Sequence, residues 1–179
     1  MRARLLGYFG MLALVDVHYT GAAARAACLL AESWASGTAS SEWTVELDSV
    51  APYRPGYFFE RELPCLIAAL SRVTAPLEAI LVDGYVELDA RGKPGLGAHL
   101  HDHLERKIPV VGVAKHSFAG SEFASRVLRG ESRKPLFVTA RGMAREAAAE
   151  RVFSMHGEYR VPTLCRQVDH LSRGLHSPA

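Results

Sequence analysis

The chain has 179 residues, a formal net charge of +2, 49% hydrophobic and 22% charged residues. This length suffices for one domain with a sizeable core, and the composition excludes a low-complexity chain. The small net charge does not by itself indicate a nucleic-acid partner, although it is compatible with a local basic groove. We expect a single domain over residues 1–179 that is monomeric.

The N-terminal residues 1–15, MRARLLGYFGMLALV, combine a basic start with an apolar run, and AAARAA follows closely. This is typical of a secretory signal peptide with a small-residue cleavage site. The alternative is a buried strand over residues 7–19, which is favoured because glycines interrupt the run and it passes directly into Asp16. The run is shorter than the roughly 20 apolar residues of a membrane span, so we expect no membrane partner.

Residues 22–34 read equally as a helix or a strand, since their periodicity is ambiguous and alanine favours a helix. Residues 41–50 alternate apolar and polar side chains, which predicts a half-buried strand. A loop rich in proline and aromatic residues follows, and residues 62–73 have a helical pattern. Residues 78–85 form a continuous apolar run that ends in Asp-Gly, as expected of a central strand buried on both faces.

In the second half of the chain, predicted strands alternate with predicted helices. Helices are predicted over residues 95–107, 143–156 and 162–175, and strands over residues 110–115 and 135–142. This alternation indicates an α/β sheet with helices packed on it, to which the first half contributes two or three antiparallel strands.

The three cysteines, Cys28, Cys65 and Cys165, are odd in number and far apart. They suit reduced thiols better than a disulfide framework, and no cysteine pair has the spacing of a metal site. We therefore expect a cytoplasmic protein.

Two acidic residues stand within apolar runs of predicted strands, Asp16 in MLALVDV and Asp83 in AILVDG. A buried carboxylate is costly unless it is paired, hydrogen-bonded or bound to a metal. In open α/β sheets, ligands bind beyond the carboxyl ends of the strands, and converging carboxylates are the ligands that Mg²⁺ prefers. Asp16 and Asp83 are therefore candidate metal ligands.

Three further charged residues each have an ordinary structural interpretation, and Lys115 also has a functional one. Glu62 would begin a helix, where an acid suits the helix dipole. Asp169 would be a solvated charge on the last helix. Lys115 follows a buried strand at the same edge of the sheet as Asp83, so it would form a salt bridge or contact a substrate phosphate.

Several blocks of this sequence, in order, resemble those of the endonuclease V family of metal-dependent nucleases. LVDVHY resembles the family's first strand, PYRPGYFFERELP its aromatic wedge, and VDGYVEL with GLGAHL its Asp-Gly block and following helix. IPVVGVAKHSF and YRVPTLCRQVDHLSR are similar to its Gly-Val-Ala-Lys strand and closing pattern. The resemblance implies a ribonuclease H-like α/β fold, a mixed sheet with helices packed on both faces.

The resemblance also implies roles for individual residues. It makes Asp16, Glu62, Asp83 and Asp169 ligands of Mg²⁺, with Mn²⁺ as an alternative, and it makes Lys115 an active-site lysine. The residues it assigns to nucleic-acid contacts in the wedge, the pocket for an extruded base and a phosphate-contacting turn after a strand are Tyr53, Arg54, Pro55, Gly56, Phe58, Gly84, Tyr85, Leu96, Thr139 and Gly142. Glu60 lies outside the pattern, and we expect it to be exposed and dispensable.

The activity implied is hydrolysis of a phosphodiester 3′ of inosine in DNA or RNA. The chain departs from the family at Tyr85 and Val86, where a histidine and a glycine are usual, and near Asp89, where a second histidine is usual. Two alternatives therefore stay open. One is a nucleic-acid binder of the same fold with weak or lost catalysis, and the other is a ribonuclease H-like nuclease for another DNA or RNA structure.

Two other sets of residues allow functional interpretations. His99 and His103 are four residues apart on one helix face, a spacing found in zinc sites, but no third ligand is placed nearby. Basic residues in the second half of the chain are either a solvated face or phosphate contacts, namely Arg126, Arg129, Arg133, Lys134, Arg141 and Arg145.

Overall fold

The computed structural model describes residues 10–52, 54–55 and 58–175. A seven-stranded mixed sheet forms its centre. In chain order the strands are β1 Met11–Thr20, β2 Ala23–Ala31, β3 Ser41–Leu47, β4 Leu77–Asp83, β5 Val110–Ala114, β6 Ser125–Val127 and β7 Leu136–Arg141. In space they run β3-β2-β1-β4-β5-β7-β6. The central strands β1, β4 and β5 are parallel, and the flanking pairs are antiparallel.

Helices cover both faces of this sheet, as predicted. They are α1 Phe58–Leu70, α2 Leu96–His103, α3 Arg145–Ser154 and α4 Thr163–Ser172. Because side chains alternate along a strand, Leu12 and Leu14 of β1 join the core beneath α3 and α4. Ala13 and Val15 face the opposite core, beneath α1 and α2. Every one of these four β1 side chains is at most 1% exposed, which explains the unbroken apolar run.

The segment that read equally as a helix or a strand forms β2. It pairs with β1 over nine residue pairs and with β3 over seven, so its backbone groups are satisfied within the sheet. The helical preference of its alanines is small and is overridden by this pairing. The expectation of two or three antiparallel strands from the first half is therefore met by β1, β2 and β3.

The boundaries of several elements differ from the predicted ones. The predicted strand over residues 7–19 is β1, which begins at Met11, while residues 7–9 lie outside the described part. Helix α1 begins at Phe58 instead of residue 62, so its first-turn acid is Glu60. The interpretation of Glu62 as a first-turn acid is therefore wrong. Strand β6 and the short 3₁₀ turn Ser121–Phe123 before it were not predicted.

The parallel centre of the sheet brings the ends of three strands to one edge. Val15 of β1 lies beside Val82 of β4, and Asp83 lies beside Val113 of β5. Residue 112 must be glycine, because a Cβ atom there would lie 2.5 Å from the carbonyl oxygen of Gly84. The loop after β4 can therefore approach β5 closely at this edge.

No helix in the described part of the chain is long and apolar enough to cross a membrane.

Candidate active site

A lysine joins two carboxylates at this edge of the sheet. The Lys115 Nζ atom lies 2.7 Å from Asp83 Oδ2 and 3.5 Å from Asp169 Oδ1. Asp83 ends β4, Lys115 follows β5, and Asp169 comes from α4, so three separate elements meet here. The interpretation of Asp169 as a solvated surface charge is wrong, because its side chain is only 20% exposed and faces this cluster.

Asp16 lines the same small pocket as Asp83, Lys115 and Asp169. It lies within β1, one residue beyond the last β1–β4 pair, where β1 continues beside β2 alone. The hydroxyl of Ser172, at the end of α4, donates a hydrogen bond of 2.6 Å to Asp16 Oδ2. Helix α4 is therefore tied to the first strand at the pocket.

Arg173 fixes the orientation of Asp169. Its Nε and Nη2 atoms donate to the two carboxylate oxygens of Asp169 at 3.1 and 3.2 Å. Burial acts to raise the pKa of Asp169, but the hydrogen bonds and charges of Arg173 and Lys115 outweigh this and lower it. Burial likewise disfavours the Lys115 ammonium, yet Asp83 and Asp169 raise the pKa of Lys115 overall. These two groups are thus held in their charged forms.

Glu62 is the most buried acid of the set, at 5% exposure. Its Oε2 atom is enclosed and has no hydrogen-bond partner among the described residues. Burial raises the pKa of Glu62 to about 8, and the negative charges of Asp16 and Asp83 add to the effect, against a smaller opposing contribution from Arg61. An orphaned carboxylate oxygen in the interior is costly, so its retention needs an explanation.

The charge on Asp16 is similarly uncompensated. Burial raises the pKa of Asp16 to about 6, the hydrogen bond from Ser172 opposes the shift, and the charges of Asp83 and Asp169 reinforce it. Asp16 and Glu62 are therefore two buried acids that repel each other and their neighbours. A cation placed among them would relieve this repulsion.

The donor set of four carboxylates fits a hard divalent cation such as Mg²⁺. Within the described ranges, however, no three His, Cys, Asp or Glu side chains are already arranged to hold one ion. The Lys115 ammonium group is hydrogen-bonded to Asp83 and Asp169. Glu62 does not line the pocket that the other three acids share. Binding a cation through all four acids would require these side chains to turn toward it.

Three residues assigned to nucleic-acid contacts, Gly84, Tyr85 and Leu96, lie between the end of β4 and the start of α2. Gly84, which has a φ of 133°, follows Asp83 directly. The Tyr85 hydroxyl donates to the carbonyl oxygen of His116 at 2.8 Å, and the ring meets Phe118 edge to face at 4.7 Å. Leu96, the first residue of α2, is 7% exposed.

The placement of Thr139 after a strand is wrong. Thr139 lies within β7, is 1% exposed, and its hydroxyl accepts a hydrogen bond of 2.8 Å from the Val86 amide. It thereby joins the sheet to the loop after β4. Gly142 does follow β7, in a left-handed conformation with a φ of 81°.

The wedge can be described only in part. Tyr53, Gly56 and the side chain of Phe58 lie outside the described residues. Arg54 and Pro55 are exposed, and Arg54 Nη1 lies 3.2 Å from Glu60 Oε2. The expected exposure of Glu60 is confirmed.

The histidines of α2 do not form a zinc site within the described part of the chain. His99 stacks on Phe59 with ring centroids 3.7 Å apart, and His103 is exposed. His101, between them, is buried with both ring nitrogens lacking a hydrogen-bond partner among the described residues.

The six basic residues have different environments. Arg126, Arg133 and Lys134 are exposed, and Arg141 pairs with Glu87 at 3.0 Å. Arg145 donates to the carbonyl oxygen of Phe123.

Arg129 fits neither of its predicted interpretations, a solvated face or a phosphate contact. It is 5% exposed and donates to five backbone carbonyl oxygens, those of Phe153, Met155, Gly157, Tyr159 and Arg160. Its guanidinium group therefore organises the segment that joins α3 to α4.

We expect Arg129→Met to lower the free energy of unfolding by roughly 2–4 kcal/mol, because it leaves several carbonyl oxygens without their charged donor. Urea denaturation measures the change. Arg126→Met is the matched control, since Arg126 is exposed three residues earlier, and it should change stability by less than about 0.5 kcal/mol. Equal effects of the two variants would contradict the structural role of Arg129.

Three polar residues at the site were not identified from the sequence: Ser172, Arg173 and Arg160. Arg173 follows Asp169 by four residues, a spacing that predicts an ion pair on a helix. Ser172 and Arg160 carry no such signal, because their partners are distant in sequence.

The sequence matches the Endonuclease V family over residues 8–142. The Endonuclease V of Azotobacter vinelandii is 30% identical over 185 residues, covering 91% of this chain and 82% of that protein. The one of Thermococcus kodakarensis is 31% identical, covering 89% and 76%. The Endonuclease V of Streptomyces avermitilis is 31% identical, and the match covers 68% of this chain but only 61% of that protein. The one of Rhodospirillum centenum is 32% identical, and the match covers 65% of this chain but only 56% of that protein.

Solved structures show the same fold. The catalytic domain of human Endonuclease V superposes with a TM-score of 0.76 at 23% identity, covering 94% of this chain and 82% of that one. The Streptomyces avermitilis enzyme gives 0.73 at 25%, covering 93% and 81%. The Ciona intestinalis protein, solved with DNA containing an inosine, gives 0.70 at 19%, covering 94% and 86%. The predicted ribonuclease H-like fold is thereby confirmed, and the chain belongs to the endonuclease V family.

Proposed function

We propose that this protein is a metal-dependent endonuclease that hydrolyses a phosphodiester 3′ of inosine in DNA or RNA. One observation carries the proposal. Four acids, one from each of β1, α1, β4 and α4, and the lysine that follows β5 surround one edge of the parallel strands. Two of the acids, Asp16 and Glu62, are buried, and neither takes part in an ion pair among the described residues.

Asp16, Glu62, Asp83 and Asp169 are the residues that would hold Mg²⁺ or Mn²⁺. When bound, such an ion supplies a Lewis acid and a more acidic water. The chain contributes the oxygen ligands, and the apolar walls of the pocket limit the access of other water. The raised pKa values of Asp16 and Glu62 mean that metal binding is coupled to release of protons from these groups.

Lys115 is the cation that the chain itself supplies to the reaction. A water molecule gives up a proton as its oxygen forms a new bond to phosphorus, one phosphorus–oxygen bond of the strand breaks, and the leaving oxygen takes up a proton. Negative charge develops on the phosphate oxygens and the leaving oxygen during this exchange. The Lys115 ammonium lies 2.7 Å from Asp83 and can stabilise that charge when a phosphate enters.

The inosine part of the proposal has a narrower basis. It follows from the family and from the Ciona intestinalis relative, which was solved with inosine-containing DNA. An unpaired or mismatched base is extruded from a duplex at a cost of only a few kcal/mol, which favours deaminated bases as targets. In this chain the Tyr85 side chain is held by a hydrogen bond to the His116 carbonyl oxygen and by an edge-to-face contact with Phe118.

We expect the purified protein with Mg²⁺ to nick an inosine-containing oligonucleotide at least about tenfold faster than the matched strand with guanosine. Denaturing gel electrophoresis of end-labelled DNA and RNA strands measures the rate and the cleavage position. EDTA should abolish the activity, and added Mg²⁺ should restore it. Equal cleavage of inosine and guanosine strands would contradict the substrate, and full activity in EDTA would contradict the metal.

A second candidate is a nucleic-acid binder of the same fold without efficient catalysis. The Lys115 bridge between Asp83 and Asp169 favours it, because it occupies two of the proposed ligands. Calorimetric titration with Mg²⁺ in the presence of an inosine strand separates the candidates. Strand binding without metal binding or turnover would support the binder.

A further inference from the structure

Arg160 contacts the main chain of the active-site lysine. Its Nη2 atom donates to the carbonyl oxygen of Lys115 and, at 2.8 Å, to that of Pro135. Its Nε atom is buried without a hydrogen-bond partner among the described residues. Arg160 is absent from the ion pairs formed in the described part of the chain, so its guanidinium is used on backbone carbonyls.

The contact lies where the sheet stops holding the chain. Strand β5 ends at Ala114, which pairs with Phe137 of β7, so Lys115 is one residue beyond β5. Pro135 stands just before β7 and has no N–H group with which to continue the ladder. Arg160 therefore holds together two backbone segments that the ladder leaves unpaired at this end.

Arg160 is itself held in a firmly attached segment. Arg129 donates to the carbonyl oxygens of Tyr159, at 2.9 Å, and of Arg160, at 3.4 Å. The Thr163 amide donates to the His156 carbonyl oxygen at 2.9 Å and so closes the turn that leads into α4. Because α4 carries Asp169, the segment connects Asp169 to the backbone of Lys115.

We propose that Arg160 is a positioning residue for Lys115, which sets the place of the ammonium group between Asp83 and Asp169. The proposal deepens the nuclease function proposed above and depends on it for its kinetic part. The Lys115 ammonium group sits on a four-carbon stem of fixed length, so the position of the backbone limits where that group can lie. Releasing the carbonyl oxygen would let the residue shift, and a displacement of about 1 Å can cost roughly 100-fold in rate.

The test is a double-mutant cycle in the full-length protein with Mg²⁺ and an inosine oligonucleotide. We expect Arg160→Met to lower kcat about 10- to 100-fold while KM, and strand affinity measured by fluorescence anisotropy in EDTA, change less than about twofold. In a Lys115→Met background the same substitution should change kcat less than about twofold, because the positioned group is gone. Arg160→Lys should not restore the rate, since an ammonium group lacks the planar fork of donors.

Arg151→Met is the matched control. Arg151 lies on α3 near Glu78, at the opposite end of β4, and its loss should leave kcat unchanged. Equal losses from Arg160→Met in both backgrounds would overturn the proposal, because they would indicate a general structural role. An unchanged kcat in Arg160→Met would overturn it as well.

A crystal structure of Arg160→Met, or of Arg160→Lys should the first variant not fold, gives a readout independent of activity. We expect the Lys115 Nζ atom to leave hydrogen-bond distance of Asp83. An unaltered Lys115–Asp83 contact would overturn the positioning role even if the nuclease activity is established. Conversely, absence of inosine cleavage by the wild-type protein would count against the proposed function, while this structural comparison would still test Arg160.

Discussion

Asp83→Asn is expected to lower the rate of strand cleavage by at least about 10²-fold while leaving the fold intact. The substitution keeps the shape of the side chain and removes one negative charge. The substitution also replaces one oxygen donor of the proposed metal site with an amide nitrogen. It removes the charged partner of Lys115, whose Nζ atom lies 2.7 Å from Asp83 Oδ2. Both losses act on the step in which charge develops on the phosphate.

The fold should tolerate this change because Asp83 is 37% exposed at its side chain. Partly exposed ion pairs contribute about 1 kcal/mol or less to stability, so thermal denaturation should change little. Single-turnover cleavage with Mg²⁺ measures the activity, and circular dichroism measures the fold.

Asp48→Asn is the matched control for Asp83→Asn. Asp48 is exposed one residue beyond β3, far along the sheet from β4, and the same chemical change there should leave cleavage unaffected. Undiminished cleavage by Asp83→Asn would exclude Asp83 from the catalytic site. A loss of helical and strand signal in that variant would instead mean that Asp83 is needed for folding.

The sequence predicted the elements that have a strong periodic or apolar pattern. The buried strands around Asp16 and Asp83 were recognised because they are covered on both faces, which requires continuous apolar runs. Their acids interrupt those runs and so were visible as candidate ligands. Local pattern was sufficient here, since both the burial and the interruption are encoded within a few residues.

Features that depend on distant partners were not predictable in this way. The environment of Asp169 is set by Lys115, 54 residues earlier, and by the packing of α4 against β1 and β2. In the sequence Arg129 looks like one of several surface cations. In the structure it is buried and donates to carbonyl groups of a segment 24 to 31 residues away. Strand β2 was ambiguous because alanine favours a helix locally while sheet pairing decides the outcome.

Glu62→Gln is expected to abolish cleavage and, at the same time, to make the metal-free protein more stable at alkaline pH relative to the wild type. Glu62 is 5% exposed, and burial together with the charges of Asp16 and Asp83 raises its pKa to about 8. An ionised carboxylate in this position destabilises the folded state. The amide of glutamine cannot ionise, so it removes that destabilisation along with the proposed metal ligand.

The direction of this pH effect on stability follows from the pKa of Glu62 in the unfolded and in the folded chain. In the unfolded chain a glutamate titrates near 4.3, whereas in the folded chain Glu62 keeps its proton up to about pH 8. Between these values Glu62 binds more protons in the folded than in the unfolded state, so its contribution to wild-type stability falls as the pH rises through this range. The loss is complete above about pH 8 and is on the order of a few kcal/mol.

Chemical denaturation in EDTA at pH 5 and pH 9 measures the effect. Burying an amide in place of the acid carries its own cost of about 1–3 kcal/mol, but this cost does not depend on pH and cancels in the comparison. The stability difference between variant and wild type should therefore move in favour of the variant by a few kcal/mol from pH 5 to pH 9. Mg²⁺ at about 100 times its Kd should stabilise the wild type by about 2.7 kcal/mol and the variant by clearly less.

Glu60→Gln separates this effect from a general loss of negative charge on α1. Glu60 lies two residues earlier on the same helix, is exposed, and pairs with Arg54 at 3.2 Å. Its substitution removes the same charge from a solvent-exposed position, so it should give stability curves parallel to those of the wild type at both pH values. Parallel curves for Glu62→Gln would contradict a buried, repelled carboxylate at residue 62. A pH-dependent gain in the stability of Glu62→Gln without loss of cleavage would confirm that Glu62 is buried and would exclude it from the catalytic residues.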